Sequence, residues 1–253
     1  MIRALALLAA LTAAPAAAQE QVVAGLSRDA VAITANFTGS EILIYGAVKR
    51  QAPIPEGAPL DVIVTLESPA RAVTIRKKER RAGIWMNTEA VPVGAAPGFY
   101  AVASSAPLNQ ILTEATDATQ RITIPRAIRS FAGPLTVADT RPFTEALLRI
   151  RIAEGMYLYD PSGVRIVDQT LFRADVKLPS NLIEGLYKAR IFLLRNGRVV
   201  DLYSDAIEVR KVGLERWLTQ LARQQPLIYG LMSLAIAVAA GWAASAAFRA
   251  FKR

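Results

Sequence analysis

The hydrophobic pattern is plainest near the end of the chain, where residues 227–248 form 22 consecutive positions without a charge, followed by Arg249, Lys252 and Arg253. A helix of that length is about 33 Å long, enough to cross a hydrocarbon core of about 30 Å. A buried core helix would carry polar punctuation and would not stop at a basic cluster. The pattern therefore predicts a transmembrane helix over 226–249 and a tail at 250–253. Just upstream, Leu214, Trp217, Leu218 and Leu221 share one helical face, which predicts an amphipathic juxtamembrane helix over 211–225. Trp217 and Tyr229 are the interfacial candidates.

The opposite end carries a different apolar run. Residues 1–18 hold one basic residue, Arg3, a short Ala/Leu core and Pro15, then Ala16, Ala17 and Ala18 before Gln19 and Glu20. That is the layout of a cleavable secretory signal. Cleavage after Ala18 would place the new N-terminus outside and the basic tail inside, in line with the excess of Lys and Arg expected on the cytoplasmic side. The expectation is a single-pass protein of a bacterial inner membrane, N-terminus periplasmic and C-terminus cytoplasmic.

Between the two ends the pattern reads first as strands. Residues 30–37, 41–49, 60–68, 72–78 and 99–105 read as short strands, the first two apolar on both faces, as in a two-layer structure. Pro92, Gly94, Pro97 and Gly98 read as a loop. The period then lengthens. Residues 107–119 predict a short helix, and Phe143, Ala146, Leu147 and Ile150 recur at helical spacing, with Thr140 as N-cap, Pro142 in the first turn and Gly155 past the end. Strand character returns at 163–179. Residues 185–210 are the clearest hairpin, with the two-residue turn Asn196-Gly197 between IFLLR and RVVDLY. The fold this order predicts is mainly β: an immunoglobulin-like antiparallel β-sandwich over 19–210 with a helical insertion at about 107–155. Two small β-domains joined by the helical segment are the alternative.

Composition narrows the chemistry. The chain has neither Cys nor His, which removes disulfides, most zinc sites, haem ligation by either residue and every triad built on His. No cofactor is expected. The net charge of +9 includes Arg3 and the three tail residues, leaving 26 basic and 21 acidic residues elsewhere. That balance is ordinary for a protein surface and does not suit a nucleic-acid binder. The carboxylates Glu67, Glu114, Asp117, Asp139, Glu145, Glu154, Asp160, Asp168 and Asp175 are scattered, with no enforced pairing. Asp160-Pro161-Ser162-Gly163 reads as an Asx-type turn, without the oxygen ladder of a calcium loop. No glycine-rich phosphate loop or Ser–Lys motif set occurs, and the expectation is a protein that is not an enzyme.

Two features remain. Arg76, Lys77, Lys78, Arg80 and Arg81 place five basic residues in a run of six, with Trp85 four residues beyond. The run suits an anionic lipid surface, a polyanion or an acidic partner face. It also suits a charged β-turn or an edge strand guarded against aggregation, and Trp85 by itself reads more readily as a core residue. In the membrane helix, Ala235, Ala239, Ala243 and Ala247 recur every four residues. Such a stripe allows close packing against a second copy or an integral membrane partner, although Ala is abundant in both apolar ends.

The blocks GLSRDAVAITANFTGSEILIYGAV, RKKERRAGIWMN, FYAVASSAPL, GLYKARIFLLRNGRVV and QPLIYGLMSLAIAVAAGWAASAAFR resemble a family of uncharacterised transmembrane proteins of alphaproteobacteria. The resemblance spans about residues 22–249 and implies an envelope protein with one C-terminal span. It carries no established activity, although lookalikes are often encoded near permeases of anion-exporter type. The expected function is a non-enzymatic, membrane-anchored periplasmic accessory protein that presents its β-sandwich to an inner-membrane complex, such as a transporter. The alternative is a binding or sensing module for a small anion, anionic lipid or envelope polymer. Expected partners are membrane lipid and an integral membrane protein or a second copy.

Overall fold

The computed structural model describes residues 20–34, 37–51, 53–54, 57, 59–128, 130–131, 139–212 and 214–251. The expected leader at 1–18 lies outside the described residues, as do Lys252 and Arg253. Two compact units result, one holding residues up to Val31 with Thr38–Val209, the other Ala32–Phe37 with Arg210–Arg253.

The first unit is mainly β with a helical insertion. Its strands are β1 (Gln21–Leu26), β2 (Ala30–Ile33, at the boundary), β3 (Ser40–Lys49), β4 (Asp61–Glu67), β5 (Ala70–Arg81), β6 (Ile84–Pro97), β7 (Tyr100–Ser104), β8 (Ser130–Phe131), β9 (Tyr157–Asp160), β10 (Val164–Val167), β11 (Leu171–Leu178), β12 (Gly185–Arg195) and β13 (Arg198–Lys211). Helices α1 (Leu108–Ile111), α2 (Glu114–Gln120), α3 (Ile124–Ala127) and α4 (Arg141–Ala153) lie between β7 and β9. Among the described residues these strands form three sheets, ordered β1-β3-β11-β10, β2-β13-β12-β4-β7-β9 and β5-β6-β8. The first two pack on each other, β10 against β4 and β11 against β7, while α3 packs on β7.

That layering explains the strands without alternation. Val62, Ile63, Val64 and Leu66 of β4, and Ile191 through Leu194 of β12, are all buried, as befits strands covered on both faces. The predicted hairpin turn is present: Asn196 (φ 52) and Gly197 (φ 74) both adopt positive φ between β12 and β13.

Several expectations change. The sheets are not wholly antiparallel, because β9 runs parallel to β7. A parallel neighbour requires a crossover connection, and the helical insertion is that crossover. The predicted loop through Pro92, Gly94 and Pro97 is instead the second half of β6, pairing with Ala70–Ile75 of β5. Among the described residues the short β8 pairs with Val93 and Ala95, and Pro92 stands across from Thr74 of β5. The helix expected over 107–119 is two helices, because Thr113 interrupts it and accepts a bond from the Thr116 N–H to cap α2. Thr140 holds the N-cap position of α4 without a side-chain bond. Asp139 caps instead, accepting from the Arg141 N–H at 2.9 Å. On α4 only Phe143 and Leu147 are buried, and Ile150, expected inward, is exposed.

In the second unit α5 (Leu214–Gln224) leads through Gln225 into α6 (Pro226–Phe251). The Gln225 N–H bonds the Leu221 carbonyl and the Tyr229 N–H bonds the Gln225 carbonyl, so helical bonding continues past Pro226, which opens α6 where no N–H is needed. Pro226–Ser245 is long and apolar enough to cross a membrane, with none of its residues buried against protein.

Candidate functional site

The basic run lies on an arm formed by β5 and β6. Ala82 (φ 49) and Gly83 (φ 84) make its two-residue turn, putting Arg81 across from Ile84, Arg80 across from Trp85 and Glu79 across from Met86. The base of the arm is anchored: Ile75, Val91, Val93 and Ala96 form a core cluster with Phe143 and Leu147 of α4. Burying each of those two α4 side chains contributes about 1.5–3 kcal/mol. Beyond Ile75 and Val91 no residue of the arm is buried. At about 3.4 Å per residue, the stretch from Arg76 to the turn extends about 20 Å past its anchored base.

The two faces of the arm differ. Residues directly opposed across a sheet share a face, and alternate residues along a strand do too. Lys77, Glu79, Arg81, Ile84 and Met86 therefore lie on one face. There Lys77 bridges Glu79 at 2.8 Å and Glu89 at 3.8 Å, and Arg81 approaches Glu79 at 3.7 Å. The Lys77–Glu79 hydrogen bond is the main reason that the lysine pKa is raised and the glutamate pKa is lowered. The other face carries Arg76, Lys78, Arg80 and Trp85. None of these three cations forms an ion pair among the described residues, and Arg80 turns its Nε toward the Gly83 carbonyl at 3.4 Å.

At the tip, Ile84, Trp85 and Met86 are 62 %, 68 % and 47 % exposed. Trp85 is thus not the core residue that its sequence neighbourhood suggested. Ile84 and Met86 flank Trp85 in the same sequence block but were not singled out. The signal for them was the dipeptide Ala82-Gly83, which in a charged run is read as more strand unless both residues are allowed positive φ.

The remaining candidates are dispersed. Ala235, Ala239 and Ala243 are exposed on α6, whereas the side chain of Ala247 lies outside those described. Trp217 and Tyr229 are 51 % and 38 % exposed. Among the described residues no group of three or more carboxylates stands close enough to hold a metal ion. The Asp160 turn is present, its Oδ1 accepting from the Ser162 N–H at 3.0 Å. Burial pushes the Tyr100 hydroxyl up to about 12, so it stays protonated and donates to the Ile122 carbonyl at 2.8 Å.

The most deeply built polar cluster was not anticipated. Glu20, whose side chain is 1 % exposed, pairs with Arg50 at 2.6 Å and with Arg195 at 2.5 Å. Arg50 also donates to the Gln169 carbonyl and to Thr170 Oγ1. The carboxylate therefore ties the start of β1 to the ends of β3 and β12 and to the β10–β11 turn. Both guanidinium groups turn donors inward onto Glu20, and Arg50 also onto the neighbouring turn, which is the arrangement of a structural clamp.

Residues 21–250 match the model of a family described as Putative transmembrane protein (Alph_Pro_TM). The chain belongs to this family. Among curated proteins none matches it. The family match covers both the arm and α6, joining a β-rich domain and one membrane-spanning helix in a single unit of descent.

Proposed function

We propose that the protein is a non-enzymatic, membrane-anchored accessory module. In this reading the mature chain is held by α6 in a bacterial inner membrane, with residues 19–210 in the periplasm as an immunoglobulin-like sandwich and the basic tail in the cytoplasm. Helix α5, Leu214–Gln224, serves as the juxtamembrane helix, which starts later than the 211 expected because β13 runs on to Lys211. The β domain presents a surface to an integral membrane partner, such as a transporter. The observation that carries this reading is the continuity of a fully cored β domain with one long apolar helix. The parallel β7–β9 pair is a local departure from immunoglobulin-like topology. The exposed small side chains Ala235, Ala239 and Ala243 support close helix packing.

The test is native mass measurement of tagged full-length protein extracted in mild detergent. Replacing Ala235, Ala239, Ala243 and Ala247 with Leu preserves hydrophobicity while closing the small-residue stripe. The expected result is a complex above monomer mass, containing an integral membrane protein or a second copy, that the Leu variant loses while still inserting. A monomer in both cases would overturn the proposal.

A further inference from the structure

We infer that the tip of the β5–β6 arm is a docking element for an anionic lipid bilayer surface. The inference rests on the membrane-anchored reading above and adds a second, independent contact.

Edge protection accounts for only part of the arm. Lys and Arg along exposed strands prevent edge-to-edge pairing, and Lys77, Arg81 and their glutamate partners suffice for that on one face. It does not account for Ile84, Trp85 and Met86, consecutive, exposed and set at the far end of the arm. A bare apolar tip undoes what guard charges achieve, because clustered exposed apolar side chains promote association. The pairing of such a tip with Arg76, Lys78 and Arg80, cations without acidic partners among the described residues, matches the two layers of a bilayer surface. Apolar side chains enter the headgroup–acyl boundary to a depth of about 5–10 Å, and the indole suits that boundary, having an apolar body and one polar edge. Arg80 lies directly across from Trp85, Lys78 two positions back and Arg76 four. Long basic side chains at that level reach phosphates while their stems cover apolar surface.

An acidic protein partner would meet the same cations but gives no reason for the order of the arm, apolar at the end and basic behind it. A bilayer imposes that order. The span in the same chain keeps the β domain at a membrane at high effective concentration, so a weak tip contact suffices to orient it.

The chain has no cysteine, which allows a clean experiment on the full-length protein. Ile84→Cys is labelled with a nitroxide, and the protein is reconstituted into nanodiscs of phosphatidylcholine alone or with phosphatidylglycerol. Accessibility is read against oxygen, which partitions into lipid, and against a water-soluble nickel chelate. In the anionic discs the label is expected to become severalfold more accessible to oxygen relative to the chelate. The change should be lost in phosphatidylcholine discs, and in anionic discs when Arg76, Lys78 and Arg80 are all replaced by Gln. Thermal melting of that variant should match its parent. A label that stays chelate-accessible in every disc overturns the inference, and is the outcome expected if the arm meets a protein or only guards an edge. Lipid accessibility unaffected by headgroup charge or by the Gln substitutions overturns the anionic specificity. Failure of the anchoring reading itself shows separately, as protein that does not incorporate into discs.

Discussion

Replacing Glu20 with Ala is expected to lower the melting temperature by about 10 °C. Removing one partner from a buried ionic network costs about 3–5 kcal/mol, because the opposite charges lose the group that compensated their burial. In a domain of this size each kcal/mol moves the midpoint by about 2–4 °C. The site meets the condition: the side chains of Glu20, Arg50 and Arg195 are 1 %, 9 % and 10 % exposed. Glu20→Asp keeps the charge and should lose less. Glu154→Gln, which breaks only the exposed pair with Arg151 at 3.2 Å, should cost under about 1 kcal/mol. A Glu20→Ala midpoint within about 2 °C of the parent would show that the clamp contributes little.

The same carboxylate sets a pH dependence with a definite sign. Hydrogen bonding from Arg195, opposed by desolvation and helped by Arg50, holds the Glu20 pKa below its ordinary value of 4.5. A folded-state pKa below the unfolded value contributes stability that is complete above that ordinary value. The contribution fades as pH falls through the folded pKa. Asp61 acts oppositely: burial raises its pKa, so protonation on the acid side relieves a cost. The difference in stability between the parent and Glu20→Gln isolates the first effect. It should be constant at neutral pH and shrink as pH drops below about 4.5.

Asp117→Ala is expected to cost about 2–4 kcal/mol, from loss of a charged acceptor to several donors. Its Oδ1 accepts from the Ile122 and Thr123 N–H groups, both at 2.9 Å, and its Oδ2 from the Thr123 hydroxyl at 2.7 Å. Arg126 pairs with the same oxygen at 2.9 Å. Ile122 is fully buried, so its N–H would be left without this acceptor in a place water does not reach. The carboxylate also holds Arg121 at φ 52, the turn whose carbonyls receive Tyr100 and Arg190. Hydrogen exchange at Ile122 and Thr123 should accelerate severalfold more than exchange in β12. Equal acceleration everywhere would mean that the network has no local role.

These polar clusters are where the sequence was least readable, for a physical reason. Hydrophobic period reports what a residue does to its own element, so β3, β4, β7, the β12–β13 hairpin and α6 could be read from their own runs. Glu20, Arg50 and Arg195 are far apart in the chain and each is an ordinary charged residue locally. Only the packing of two sheets brings them together. Turns that borrow positive φ from residues other than Asn-Gly were also opaque: Ala82 at the arm tip, and Asp168 and Gln169 between β10 and β11. The basic run itself was visible. Its two faces became distinguishable only once the register placed Arg80 across from Trp85 and Lys77 beside Glu79 and Glu89.

The central claim, a β domain held at a membrane by α6, is tested most directly by alkaline carbonate extraction of membranes from cells making the full chain or a chain ending at Lys211. Carbonate strips peripheral proteins, including any held by the arm alone, and leaves spanning helices in place. The full chain should remain with the membrane and float with it through a density gradient, while the shortened chain should be recovered folded in the soluble fraction. Release of the full chain by carbonate would contradict the claim, as would retention of the shortened one.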